Sequence, residues 1–258
     1  MTGSPRLVAG GVLEPPGGLA LDEALVRSPH AERALAVWRT SSAVVIGRFQ
    51  RPDWEVDPAA CAARGVRVWR RFSGGGAVYL DPGVVCAALA VPSTDAAAAA
   101  GVPAMYAPFL AGMTEACRWL GVDAVADDRT VRVGGRKVTG IAAHRGRAVT
   151  LVHGTLLVDA DLDALRGCLA GPRGGDLQGA PHPTMSRPDH VANVGGSVQD
   201  AEAAIAAAFA AQPSEPPGVE LREAADRLQA ARYREPAWHA GPWAEVCDPA
   251  VTALLGLG

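Results

Sequence analysis

VRVGGRKVTGIAAHRGRAVTLVHGTLLV, residues 131–158, is the stretch on which the fold turns. Apolar residues alternate at Val131 and Val133, stop at the turn Gly134-Gly135, and resume in strands around Val138 to Ala142, Ala148 to Val152 and Gly154 to Val158. Connections this short join antiparallel neighbours, because a parallel crossover needs about a dozen residues or more. The stretch therefore predicts a mostly antiparallel sheet.

Upstream, Leu19, Leu21, Ala24 and Leu25 behind Gly17-Gly18 read as a short helix, and Ala34 to Trp38 and Ala43 to Ile46 as two strands close enough to pair. Asp57-Pro58 sets a capping carboxylate before a proline at the first helical position. Val66 to Arg71 then forms a strand that runs into Ser73-Gly74-Gly75-Gly76. Ala77 to Leu80, the turn Asp81-Pro82-Gly83 and the apolar run Val84 to Val91 read as a hairpin. Met105, Phe109, Met113, Ala116 and Leu120 recur at helical spacing, and Gly121 stops that helix.

Downstream, Asp161 caps a helix through Leu169, while Gly171 to Pro188 is too rich in glycine and proline to be regular. Helices follow from Val198 to Ala211 and from about Leu221 to Ala231, with a linker at Pro213 to Pro217 between them. The fold class is α+β: a mixed, mostly antiparallel sheet with flanking helices. Residues 1–212 are expected to form the main domain, and residues 213–258 a linker and short C-terminal helical tail.

The chain has 258 residues, 49% of them apolar, enough for a sizeable core. A net charge of -3 with no basic stripe argues against nucleic acid as a partner. No run approaches the roughly 18 apolar residues of a membrane span, and no basic start precedes an apolar segment, so a cytoplasmic protein without membrane contact is expected. Cys61, Cys86, Cys117, Cys168 and Cys247 are scattered without a C-x-x-C pair, which predicts neither a metal site nor disulfides.

Three segments carry chemistry. Arg70-Arg71-Phe72-Ser73-Gly74-Gly75-Gly76-Ala77-Val78-Tyr79 sets three glycines between apolar strands, a backbone-entropy cost that calls for a close neighbour. Exposed N–H groups and a guanidinium suit a nucleotide or adenylate; a flexible hairpin with solvated arginines is the plainer alternative. The segment is neither a Rossmann loop, which would open a helix, nor a P-loop, which would need lysine directly after glycine. Lys137 follows a glycine turn at the start of a strand. Aimed inward it would neutralise phosphate and polarise an acyl carbonyl; aimed outward it is an ordinary edge-strand lysine. His153 precedes Gly154 in an apolar strand pair, has no acidic or cysteine partner at a telling sequence distance, and reads as structural support for the site.

In this order the segments resemble the lipoate-protein ligase family, within the group that also holds biotin-protein ligases and octanoyltransferases. The resemblance rests on Leu21 to Leu25, Val44 to Gln50, Arg70 to Tyr79, Gly135 to Gly140 and His153 to Leu157, with Arg187 to Val194 and Tyr233 to Gly241 as later landmarks. It implies a fold like the catalytic domain of class II aminoacyl-tRNA synthetases and biotin ligases. It implies that lipoate or octanoate and Mg2+–ATP form an acyl-adenylate, which a lysine of a lipoyl carrier domain then attacks. The carrier would belong to a 2-oxoacid dehydrogenase or be a glycine cleavage H-type protein.

By the same resemblance Lys137 is the catalytic residue, holding carbonyl and phosphate oxygens. Arg71, Ser73, Gly74, Gly75, Gly76, Ala77, Val78, Tyr79, Gly140, His153 and Thr155 bind substrate and nucleotide beside it. The chain differs from the family pattern at Leu80, Val84 and Arg129-Thr130, the last in a loop that helps to bind the adenylate in the family. No accessory domain follows residue 258, which implies a separate accessory subunit or a protein that does not itself activate the acid. The alternatives are an octanoyl or lipoyl transferase using a carrier-bound acyl group, and a non-catalytic lipoyl- or adenylate-binding protein. A transferase needs a nucleophilic cysteine near the lysine, whereas Cys168 falls in a helix and Cys86 in a buried strand.

Overall fold

The structure, a computed structural model, describes residues 3–28, 32–169, 185–213, 219–243, 253 and 256. Its strands are β1 (Arg6–Leu13), β2 (Ala34–Thr40), β3 (Ala43–Ile46), β4 (Arg67–Arg70), β5 (Val78–Leu80), β6 (Val84–Pro92), β7 (Ala124–Asp127), β8 (Thr130–Val133), β9 (Arg136–Lys137), β10 (Thr139–Arg145) and β11 (Val149–Leu157). The helices are α1 (Pro15–Arg27), α2 (Pro52–Glu55), α3 (Pro58–Ala63), α4 (Ala96–Ala99), α5 (Val102–Trp119), α6 (Leu162–Cys168), α7 (Val198–Ala208), α8 (Val219–Leu228) and α9 (Pro236–Ala240).

The central sheet has the order β1-β2-β6-β11-β10 and is antiparallel except for β1 on β2. Successive side chains of β2 and β6 point to opposite faces. Leu35, Val37, Val85 and Leu89 meet α5 and α7 through Phe109, Met113 and Ile205. Ala34, Ala36, Trp38, Cys86 and Ala88 meet α1 through Leu19, Ala20 and Leu25, with α8 packed outside it. Helices on both faces explain why Val84 to Val91 is apolar throughout instead of alternating. Two small sheets, β4-β3-β5 and β7-β8-β9, flank this layer. The α+β class and the antiparallel majority agree with the sequence reading. Among the described residues no helix is long and apolar enough to cross a membrane.

Three strand expectations need correction. β2 and β3 do not pair: β2 lies between β1 and β6, while β3 lies between β4 and β5. β5 and β6 likewise form no hairpin, because the chain changes sheets at Asp81-Pro82-Gly83. That corner is pinned to the end of β11: Asp81 accepts N–H groups from Gly83 and Asp161 at 2.8 Å each, and the Gly83 carbonyl accepts from Val158 and Asp159 at 3.0 Å. Finally, Ala148 to Val152 and Gly154 to Val158 are one strand, β11. Gly154 satisfies its expected close approach within the sheet itself, since a Cβ there would lie 2.5 Å from the Gly140 carbonyl oxygen of β10.

β1 was absent from the sequence reading, and most of Gly171 to Pro188 lies outside the described residues. The helix expected from Val198 to Ala211 ends at Ala208, and the one near Leu221 is α8, continued by a π turn over Gln229–Tyr233.

Candidate active site

Arg70 and Arg71 are sequence neighbours with different surroundings. Arg70, 1% exposed, donates to the carbonyls of Gly47, Arg48 and Gln50 at 3.1, 3.0 and 2.7 Å, and to those of His239 and Ala240 at 3.0 Å each. It ties the loop after β3 to the C-terminal segment. Arg71 turns into the site. Its guanidinium reaches the Ser73 hydroxyl at 3.1 Å and the carbonyls of Val45, Gly74 and Gly76 at 3.3, 3.1 and 2.8 Å, drawing the glycine turn around itself. Burial pushes its pKa down to about 10, with Glu55 opposing.

The turn is close-packed from the other side. A Cβ on Gly47 would stand 2.2 Å from the Gly75 carbonyl oxygen, so any side chain there would push the turn out of place. Gly75 itself has φ +86°, a left-handed conformation natural to glycine. The N–H of Ala77, which such a turn would offer to an anion, donates to the Ser186 hydroxyl at 2.7 Å. Ser186 also accepts from Gln50 at 3.1 Å and donates its own N–H to the Glu55 carboxylate, which burial makes harder to ionise.

Lys137 ends β9. Its N–H donates to His190 O at 2.7 Å and its carbonyl accepts from Ala192 at 3.1 Å, so both backbone groups are fixed by the 190–192 segment. The side chain projects where two cavities meet. The inner one is largely apolar, walled by Leu19, Trp38, Val45, Leu80, Cys86 and Ile141. The outer one, about 310 Å³, includes Glu55, Arg166, Ser186, Arg187 and Asp189. Ala77, Val78, Lys137, Gly140 and Thr155 border both.

The ammonium makes no ion pair or side-chain hydrogen bond among the described residues. Asp189 is engaged by a bidentate contact with Arg132 at 3.0 and 2.9 Å. Burial draws the Lys137 pKa below the usual lysine value; Asp189 opposes this and Arg132 adds to it.

Of the other expected site residues, Arg71, Gly76 and His153 line the inner cavity and Tyr79 the outer. Ser73, Gly74 and Gly75 border neither. Fully buried Ser73 sits behind the turn, in a relay the sequence reading did not foresee. Asp22 accepts from the Trp38 indole at 2.9 Å and meets His153 Nδ1 at 2.9 Å, while His153 Nε2 meets Ser73 Oγ at 2.7 Å. An ionised carboxylate only accepts, so Nδ1 carries a proton towards Asp22, and in the neutral imidazole Nε2 is the atom that accepts from Ser73. His153 thus has an acidic partner, but on α1, 131 residues away in sequence. The signal was Asp22-Glu23 inside the apolar stripe of α1, since buried carboxylates require partners. Glu23 finds its own in Tyr233, at 2.7 Å, and in Arg27 and Arg232.

The C-terminal segment packs against β4, the strand that leads into the glycine turn. His239 Nδ1 accepts the Arg70 backbone N–H at 3.0 Å and Nε2 donates to Tyr233 O at 3.0 Å. Burial pushes its pKa down to about 4, from an ordinary 6.5. The unfolded chain then binds more protons between those values. The contribution is complete above about pH 6.5 and is lost as pH falls through about 4, amounting to roughly 3 kcal/mol. Urea unfolding between pH 7 and 4 is expected to show this loss in the wild type and a shallower one in His239→Asn; parallel pH dependences would refute the assignment.

Fold and site together define a mixed α+β protein whose apolar cavity ends at a half-buried ammonium. The family model for the lipoyl protein ligase A/B catalytic domain matches residues 14–210, and the chain belongs to that family. Among solved structures, it is similar to a lipoate-protein ligase A bound with ATP: 25% identity, 93% of this chain and 99% of that chain covered, TM-score 0.78. It is similar to a bi-partite lipoate protein ligase, described with its E2 lipoyl domain, from Thermoplasma acidophilum: 25% identity, 92% and 96% covered, TM-score 0.74. A putative lipoate protein ligase from T. acidophilum with bound lipoic acid shares the fold at 24% identity, with 93% and 100% covered and TM-score 0.76.

Proposed function

We propose that this protein is a lipoate-protein ligase that joins lipoate or octanoate to ATP and passes the acyl group to a carrier-domain lysine. The observation that carries this reading is the Lys137 ammonium, half-buried between an apolar and a polar cavity and unpaired among the described residues. A partly desolvated cation without a direct ion-pair partner gains from a ligand that supplies a counter-charge. An acyl chain in the inner cavity would bring its carboxylate to Lys137, and phosphates in the outer cavity would lie beside the same ammonium and Arg187. The acid's oxygen attacks the α-phosphorus and pyrophosphate leaves. The carrier amine then attacks the acyl carbon, and AMP leaves with the bonding pair. Lys137 stabilises the oxygen charge that grows in both steps.

The ATP-bound relative supports the nucleotide, and the bi-partite relative with its E2 lipoyl domain supports a carrier partner and a separate accessory subunit. Residues 1–212 would form the catalytic unit and residues 213–258 its tail. Four buried free cysteines fit a cytoplasmic location. Among the described residues no three His, Cys, Asp or Glu side chains gather to hold a metal, and Asp189 is engaged with Arg132. Mg2+ would enter with ATP, held mainly by the phosphates.

One observation favours the transferase alternative: Cys86 lines the inner cavity. Burial, reinforced by Asp22, pushes its thiol well above the ordinary value, which withholds the thiolate that acyl transfer requires. Intact-mass analysis of an apo carrier domain separates the readings, with lipoate plus Mg–ATP in one tube and octanoyl acyl carrier protein in the other. Modification is expected in the ATP tube, alone or once an accessory subunit is added; modification only from the acyl carrier protein would make the protein a transferase.

A further inference from the structure

A groove on the other side of the glycine turn has no part in the chemistry above. It is lined by Arg27, Arg48, Arg145 and Arg232, with Glu23 and Phe49 among its remaining residues. Four guanidinium groups against one carboxylate leave a net charge of +3 there, in a chain whose total is -3. The carboxylate is also hidden: Glu23 is 1% exposed and held by Tyr233, Arg27 and Arg232, so it shows little of its charge to an approaching molecule. Arg48 and Arg145 are exposed and have no carboxylate partner among the described residues. The ring of Phe49 is 56% exposed, with the Arg48 guanidinium 5.8 Å from its centroid. Arg48 and Arg232 also lie over Trp238, at 5.4 and 4.4 Å, which holds both cations in place.

The groove adjoins the acyl cavity. Gly74 faces the groove and Gly76 the cavity, and on β10 Ala143 lines the groove while its neighbour Ala142 lines the cavity. One turn and one strand separate them. A cationic groove that includes an exposed aromatic, in a protein of opposite overall charge, suits a folded partner with an acidic face and an apolar contact beside it.

We propose that this groove docks the acidic face of the acyl-accepting carrier domain, setting its target lysine beside the glycine turn. The inference rests on the function proposed above, and its test separates the two. Equilibrium binding of the apo carrier domain is measured at low and high salt for the wild type and Arg48→Glu/Arg145→Glu, alongside trapping of the activated acid by hydroxylamine, an acceptor that needs no docking surface. The double variant is expected to bind at least roughly tenfold more weakly at low salt, with the gap closing as salt screens the charges, and to form hydroxamate at the wild-type rate. Arg145→Glu alone, which breaks no side-chain hydrogen bond or ion pair among the described residues, is expected to move in the same direction. Equal binding by wild type and double variant would overturn the docking surface, as would no wild-type binding or tighter binding of a short DNA duplex than of the carrier. Failure of the wild type to form hydroxamate even with an accessory subunit added would instead count against ATP-dependent activation and leave the binding result to decide the docking surface by itself.

Discussion

Arg70→Met is expected to lower stability by roughly 3–5 kcal/mol, the cost of leaving a few buried carbonyls without their donor. Methionine fills much of the same volume, so the loss comes from hydrogen bonding. Five carbonyls, on Gly47, Arg48, Gln50, His239 and Ala240, lose their shared donor in a region that water enters poorly. Each orphaned acceptor costs about 1–3 kcal/mol when nothing relaxes, so the total implies that some of them find water or a new donor. Urea denaturation at pH 7 measures the effect directly, and a fall in Tm on the order of 10 °C should accompany it. A change under about 1 kcal/mol would mean that the loop and tail are held by something other than this guanidinium.

Lys137→Ala should show the opposite combination. Carrier acylation is expected to fall by about 10²–10³-fold, the usual cost of losing a donor aimed at developing oxygen charge. Stability should hold or rise slightly, because the ammonium is partly desolvated, has no partner among the described residues, and repays nothing in the free protein. Lys137→Arg is expected to recover little, since a planar fork does not place its charge where a compact ammonium does. Steady-state kinetics with the carrier domain varied, together with thermal unfolding of the same preparations, tests both halves. Activity within threefold of wild type would remove Lys137 from the mechanism.

Much of the chain was legible because the deciding physics is local. Asp57 caps α3 by accepting the Ala60 N–H at 2.9 Å, as its place before Pro58 indicated, and α5 carries Phe109 and Met113 into the core at helical spacing. The Lys137 strand follows its Gly134-Gly135 turn, where both glycines take positive φ. Partner choice was not legible. Nothing in Thr40-Ser41-Ser42 or Asp81-Pro82-Gly83 distinguishes a turn between paired strands from a corner between sheets; Asp161 and Val158, some 80 residues on, decide it at the second. β1 escaped because Gly10-Gly11 weakens its pattern and its pairing with β2 is parallel, across α1. Arg71 was singled out, whereas Arg70 is the more deeply integrated of the two, a difference made by backbone carbonyls that carry no residue-type signature. The Asp22–His153–Ser73 relay depends on α1 lying against β11, a tertiary fact without a local trace.

The five-carbonyl grip of Arg70 also imposes a timetable on biosynthesis. Three of its acceptors emerge from the ribosome before Arg70 itself, but His239 and Ala240 follow about 170 residues later. At translation speeds of about 5–20 residues per second that interval lasts on the order of ten seconds or more. Throughout it a nascent chain can lay down the central sheet while the loop next to the glycine turn lacks its final clamp. That clamp can close only after residues 239 and 240 have left the ribosome, so a chain stalled earlier would have most of the fold without it.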